Sequence, residues 1–307
     1  MSDVSRIGAH SLPGLRWALL SLLLIQASPV SGEDSTATPN AQQNTVPASA
    51  LASTAGTSIT RLPDGYTLTN RRAMRACIEL LNQGIENLSR IPSYTATLIR
   101  RERVDGELQP DDEVIALKFR REPFSVYMKW DSGDRGREAL FVAGRYNNKL
   151  IVRLGGLRGR FIPAIRLDPA GSLAMAESRY SVTDAGLEHL AQLLLAYRRK
   201  DLAEETPLKC ELAPGVLRGG LGCYRFQLTY LNRELSNVYR HTDLYIDKQH
   251  NLPIRLANHT WPADESAASG LGQDTLIEYY RYEDLDLQAG LTGRDFNRDN
   301  PVYRLRR

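Results

Sequence analysis

The chain has 307 residues, 42% of them hydrophobic and 24% charged, with a formal charge of +3. That length holds one large domain or two ordinary ones. The near balance of charge excludes the strong positive field of a nucleic-acid binder, and the apolar content excludes a wholly disordered chain.

At the N-terminus, Arg6 and Arg16 precede a short apolar run, Trp17 to Ile25. A small-residue stretch follows, with Ala27 and Gly32 as cleavage positions. This is the layout of a secretory signal peptide over residues 1–32. The run is shorter than the roughly 20 apolar residues of a membrane span. An uncleaved anchor is the competing reading. No cysteine adjoins the cleavage region, so no lipid-attachment cysteine is offered. The expectation is an exported, periplasmic, soluble mature chain. Residues 33–64 are rich in Ser, Thr, Ala, Pro, Gln and Asn, without periodicity. They read as a disordered linker, because they bury too little to offset the entropy of ordering. The folded domain is expected over 65–307.

A helix is predicted from about 71 to 89. Ala73, Met74, Cys77, Leu80, Leu81, Ile85 and Leu88 recur at three- and four-residue spacings, with Asn70 as N-cap. The period then drops to two. Residues 94–104 alternate, and Asp105-Gly106 marks a hairpin turn. Further strands are expected over 113–121, 124–130, 138–143 and 149–154. Short turns such as DSGDRG separate them, which indicates an antiparallel meander. The middle changes character. Residues 155–169 read as a loop, 170–178 as a helical piece and 183–200 as a firmer amphipathic helix. Leu187, Leu190, Ala191, Leu194 and Tyr197 form its apolar side. Two readings stand for that helix: a lid over the sheet, or an ordinary packing helix. Strands resume over 207–213, 223–230, 237–247, 252–258 and 275–282. The basic tail of Arg304, Arg306 and Arg307 reads as a solvated terminus.

The chemistry-bearing residues are sparse. The three cysteines are Cys77, Cys210 and Cys223. Cys77 lies on the apolar side of its helix and reads as a buried, inert thiol. Cys210 and Cys223 flank what looks like a hairpin loop and are candidates for a disulfide across it. No C-x-x-C, H-E-x-x-H, G-x-S-x-G or P-loop motif occurs. His241 and Asp243 share a strand face, where a structural hydrogen bond competes with general-base work. Neither a catalytic site nor a metal or cofactor is expected, and the chain is not read as an enzyme.

What stands out is apolar alternation. Ile115, Leu117 and Phe119 line one face of a strand, and Phe124, Val126, Met128 and Trp130 line one face of the next. A curved antiparallel sheet with such faces is filled by side chains or encloses a ligand. Arg121 ends the first stripe. Either the stripe stops at the surface, or the arginine points into a hollow.

These residues resemble a known group. A helix, a hairpin, a strand ending in RREPF, an apolar strand with Trp130, then Glu138 and Gly144 follow the order found in the lipoprotein carrier LolA and its relatives LolB and RseB. Those proteins carry K-R-P-x-x-F-x-W where this chain has R-R-E-P-F. More closely, REPFSVYMKW, RLDPAGSLAM and LTGRDFNRDNPVYR resemble an exported bacterial family, domain of unknown function 1571, over residues 70–305. The resemblance implies an α+β fold, a strongly curved antiparallel sheet in a half-open β-barrel with a helical lid. It implies a cavity for acyl chains of lipid or lipidated protein. Candidate lining residues are Leu98, Ile115, Leu117, Phe119, Phe124, Val126, Met128 and Trp130, with Leu187, Leu190 and Leu194 from the lid. It further implies a lid-latching arginine that bonds lid backbone carbonyls. Arg120 and Arg121 both fall at that place, and alternation selects Arg121, which shares the face of Phe119. A protein–protein sensor like RseB, without a lipid ligand, is the alternative function.

Overall fold

Residues Asn70–Ser89 form the first long helix, α1, in a computed structural model that describes residues 67–217, 220–263 and 271–306. The signal-peptide, cleavage and linker expectations for residues 1–64 lie outside the described residues. Ala73, Met74, Cys77, Leu80, Leu81 and Leu88 of α1 are all buried, as the helical spacing requires. The N-cap is Thr69 rather than Asn70, which opens the helix at φ 49°. Gly84 lets α1 press on a neighbouring turn: a Cβ there would stand 2.1 Å from the Asn251 carbonyl oxygen.

Thirteen strands make one sheet. They are β1 (Leu68–Thr69), β2 (Ser93–Val104), β3 (Glu107–Leu108), β4 (Glu113–Arg120), β5 (Ser125–Trp130), β6 (Glu138–Val142) and β7 (Leu150–Arg153), followed by β8 (Ile165–Leu167), β9 (Leu208–Leu217), β10 (Leu221–Tyr230), β11 (His241–Asp247), β12 (Pro253–His259) and β13 (Leu276–Asp286). The order is β1-β9-β10-β11-β12-β13-β2-β4-β5-β6-β7-β8, with β3 paired to β2. Every pairing is antiparallel. The order runs from β1 to β8 without closing, so the sheet is open. The β2–β3 hairpin turns at Asp105 (φ 50°) and Gly106 (φ 83°), the left-handed pair that a two-residue hairpin needs.

Three helices lie between β7 and β9: α2 (Arg158–Phe161), α3 (Ser172–Met175) and α4 (Leu187–Ala203). The piece expected over 170–178 is a single turn. The helix expected from 183 begins at Leu187, because Gly186 at φ 115° separates it from a short 3-10 turn at Val182–Asp184. Among the described residues, no helix is long and apolar enough to cross a membrane.

The sheet curls. The strands from β11 to β7 are seven spacings apart in the sheet order. In a flat sheet they would stand roughly 34 Å apart. Thr242 of β11 and Leu150 of β7 nonetheless line one cavity. Alternation along β5 to β7 separates two cores. Val126, Met128, Ala139, Phe141 and Val152 point inward, and Tyr127, Leu140, Val142 and Ile151 point outward. The C-terminal segment covers the outward face. Phe296, Tyr303 and Leu305 are buried there, and the Tyr127 and Tyr303 rings stack at 3.9 Å. The C-terminal segment is therefore pinned up to Leu305, while the Arg304 and Arg306 side chains are exposed to solvent.

The disulfide expectation is overturned. Cys210 pairs across the hairpin with Leu228, and Cys223 pairs with Gly215. Both strands run further than the sequence suggested, to the Leu217–Leu221 pair. Cys210 and the partner of Cys223 are five residues apart on β9, roughly 17 Å along the strand and on opposite faces. All three cysteines are free and buried.

Candidate functional site

A cavity of about 150 Å³ lies between the inner face of the sheet and the segment from Pro169 to Arg198. Its apolar wall follows from strand alternation. Leu98 of β2, Leu117 of β4, Met128 and Trp130 of β5, and Leu190 and Leu194 of α4 all line it. These are six of the expected residues. Ile115, Phe119, Phe124, Val126 and Leu187 do not line it. Ile115 is buried between Leu98 and Trp130, its partners on either side. The aromatic rings fill the sheet's near end instead. Phe119 stacks on Tyr94 at 4.8 Å and meets Phe124 edge-on at 5.6 Å. Phe124 in turn meets Phe141 at 6.0 Å. Val126 is packed in the same buried cluster.

That aromatic plug seats the start of α4. Tyr94 Oη accepts a hydrogen bond from the Leu187 N–H at 2.9 Å, which satisfies one free donor at the helix N-terminus. Gly186 rests on Phe119: a Cβ there would lie 2.7 Å from the ring. From this seat α4 serves both expected roles. Ala191, Leu194 and Leu195 pack with Ala73, Cys77 and Leu80 of α1, while Leu190, Leu193 and Tyr197 line the cavity.

Arg121 lies just past β4 and bridges three places. Its Nη2 donates to the Leu88 carbonyl at 2.5 Å and its Nε to the Ile91 carbonyl at 3.4 Å. Its Nη1 donates to the Glu188 carboxylate of α4. The resemblance led us to expect backbone carbonyls of the lid. The carbonyls instead belong to the end of α1 and the residue leading into β2, and the lid is reached through a carboxylate. Arg120 points the other way, onto the Phe296 ring at 4.7 Å. The two arginines thus reach different places, Arg120 from the end of β4 and Arg121 from the turn beyond it.

The opposite wall is polar, and the sequence reading missed it. Glu102 of β2 and Glu278 of β13 are paired across the strands, each 1% exposed. Glu278 accepts from Asn258 Nδ2 at 2.6 Å, from Arg179 Nε at 3.0 Å and from Tyr180 Oη at 3.0 Å. Glu102 accepts from the Arg179 N–H at 3.1 Å and from Tyr280 Oη. Arg100 donates to Glu113 at 2.6 Å and to Ser178 Oγ at 3.2 Å. Burial, then the facing Glu278, pushes the Tyr180 phenol far above its ordinary range; burial and Glu102 do the same to Tyr280. Both phenols are donors here, not bases. Ser178, Arg179 and Tyr180 are thus tied to the sheet floor through Arg100, Glu102 and Glu278, whose buried charges are paired. The signal was present in the period of two: Leu98, Arg100 and Glu102 share a face, as do Glu278, Tyr280 and Tyr282.

The pattern of apolar strand faces, the RREPF turn and the pinned C-terminal segment falls within a single family match. The model for the protein of unknown function family DUF1571 covers residues 91–305. The chain belongs to the DUF1571 family. The matched stretch of this DUF1571 protein includes Arg121, all of α4 and every strand of the cavity floor. Among solved structures, it is similar to a LolA superfamily protein from Nitrosomonas europaea, with 14% identity, 71% of this chain and 96% of that chain covered, and a TM-score of 0.29. It is also similar to the Mycobacterium tuberculosis lipoprotein LppX, with 12% identity, 69% and 95% covered, and a TM-score of 0.39. No curated protein matches the sequence.

Proposed function

We propose that this DUF1571 protein is an exported binding protein whose cavity takes an acyl chain, from a lipid or a lipidated protein. The observation that carries this reading is the apolar wall: Leu98, Leu117, Met128, Trp130, Leu190 and Leu194 meet there from three strands and one helix. An apolar pocket with a few polar groups gathered at one side suits an amphiphile. The signal-like layout of residues 1–32 supports export. The role is binding rather than catalysis, since the carboxylates Glu102 and Glu278 at the site are held by Arg179, Tyr180, Tyr280 and Asn258.

The size of the cavity shapes the mechanism. About 150 Å³ matches a ring-sized guest and falls below the roughly 300–1,000 Å³ of ordinary ligand sites. A longer chain enters only as the 169–203 segment moves off the sheet. Each buried methylene contributes about 0.8 kcal/mol, so eight methylenes supply roughly 6 kcal/mol toward that opening. Arg121 acts as the latch. Its bond to Glu188 holds α4 against the end of α1 while the cavity is closed.

Native mass spectrometry and lipid extraction of the full chain, purified from the exported fraction, test the reading. A stoichiometric acyl-bearing adduct, lost on Leu117→Asp, is the expected result. A bare protein that also fails to take up an acyl probe would overturn it and leave a protein partner as the object of search.

A further inference from the structure

A second surface has no part in the cavity. Leu157 and Phe161 are 71% and 84% exposed, a large apolar pair at the start and end of the short α2 turn. Arginines surround them. Arg158 and Arg160 are exposed between them, and a cleft beside them is lined by Lys129, Arg135, Arg153 and Arg304. From Ala139 to Leu167 the chain carries Arg145, Lys149, Arg153, Arg158, Arg160 and Arg166 and not one acidic residue. The whole chain's formal charge is only +3, so positive charge is concentrated here. Of the acids near the cleft, Glu138 is buried and accepts the Arg304 N–H at 2.8 Å, and Asp134 accepts the Gly155 N–H at 3.3 Å. Asp131 alone faces outward there. Among the described residues, Arg135, Arg158 and Arg160 have no carboxylate partner.

The tip is a built feature. Gly159 donates to the Gly155 carbonyl at 3.1 Å, and Ile162 to Arg158 at 3.0 Å. Arg153 Nη2 donates to the Gly159 carbonyl. A Cβ on Gly159 would fall 1.9 Å from the Leu154 oxygen. The fold thus holds two apolar side chains in water, next to Arg158 and Arg160, which have no carboxylate partner.

We infer that this tip docks on an anionic phospholipid bilayer, with Leu157 and Phe161 entering the interface and the arginines meeting lipid phosphates. Exposed large apolar groups flanked by cations are the composition that the lipid interface rewards. Charge complementarity with an anionic leaflet selects this partner over a neutral surface. Arginine binds phosphate in a forked geometry. The inference goes beyond the cavity reading and does not depend on what the cavity holds.

Vesicle sedimentation with the full chain tests it, using phosphatidylcholine alone and phosphatidylcholine mixed with phosphatidylglycerol. Binding is expected only to the mixed vesicles, and it weakens as salt rises. Arg158→Glu with Arg160→Glu, and separately Phe161→Ser, should each reduce it by about tenfold or more without changing the melting temperature. Phe161→Trp should bind, with a blue-shifted emission from the new indole. Failure to bind mixed vesicles would overturn the inference. So would binding that both variants leave intact, or binding without the blue shift, which would be adhesion by charge alone.

Discussion

His241 and His259 face each other across β11 and β12 with ring centroids 6.4 Å apart. His241 Nδ1 is 2.8 Å from Thr229 Oγ1, and His259 Nδ1 is 3.1 Å from Thr275 Oγ1. Burial pushes both imidazoles below the ordinary range. Asp243 opposes this for each, while His259, Arg225 and Arg240 add to the depression at His241; Asp274 also opposes it at His259. The unfolded chain, with ordinary histidines near 6.5, takes up protons first as pH falls. Stability is therefore full above about pH 6.5 and declines below it. Melting temperatures at about pH 7.5 and about pH 5.5 should show the drop, and His241→Gln with His259→Gln should shrink it. A melting temperature that holds or rises on acidification would refute this. The thiols make a second residue-scale case. Burial, only partly offset by Arg198, pushes Cys210 up to about 12, and burial beside Asp247 pushes Cys223 up to about 11. Thiolate is the reactive form. A disulfide reagent at neutral pH should label none of the three cysteines in the native chain and all three after denaturation. Rapid labelling of the native chain would contradict the buried placement.

Among the elements, α4 controls the site, and its first turn is the vulnerable point. An alanine at Gly186 would need φ near 115° and would meet Phe119 at 2.7 Å. Gly186→Ala should destabilise the fold by about 1–3 kcal/mol and speed hydrogen exchange over residues 186–194. Arg121→Leu should have the same local signature, because it leaves Glu188 without its guanidinium and the Leu88 carbonyl without its donor. A charged hydrogen bond of this kind contributes about 1.5–3 kcal/mol. Unchanged exchange in α4 would show that the latch does not hold the helix. How far these elements could be read from sequence depended on periodicity. The α1 stripe and the alternation of β2, β4 and β5 were plain because one face of each meets the core. The start of α4 was not, since Gly186 acts through φ and a contact with Phe119 that is distant in sequence. The Cys210–Cys223 error has the same origin. β9 and β10 pair Leu217 with Leu221, and two cysteines near a glycine-rich loop do not specify that register.

At the scale of the molecule, an open sheet of thirteen strands curls around one cavity. Its far side is sealed by the C-terminal segment through Phe296, Tyr303 and Leu305. The antiparallel class was legible from the long alternation with short turns, while the curl was implied by the resemblance to the LolA group. Six of the apolar residues that the resemblance implied do line the cavity. The polar half was not legible: Glu102, Glu278 and Arg179 come from three separate stretches, and only the folded pairing of β2 with β13 brings the carboxylates together. On the proposal above, the space between sheet and α4 is a binding site for an acyl chain rather than a packing defect. The most direct measurement is a titration of the full chain with a dansyl-labelled fatty acid, followed by the dansyl emission. Saturable, stoichiometric uptake is expected. Uptake should weaken by about tenfold or more when Ala139→Phe fills the cavity, because each displaced methylene forfeits about 0.8 kcal/mol, while the variant still melts cooperatively. No saturable uptake, or uptake that the filled cavity leaves unchanged, would contradict it.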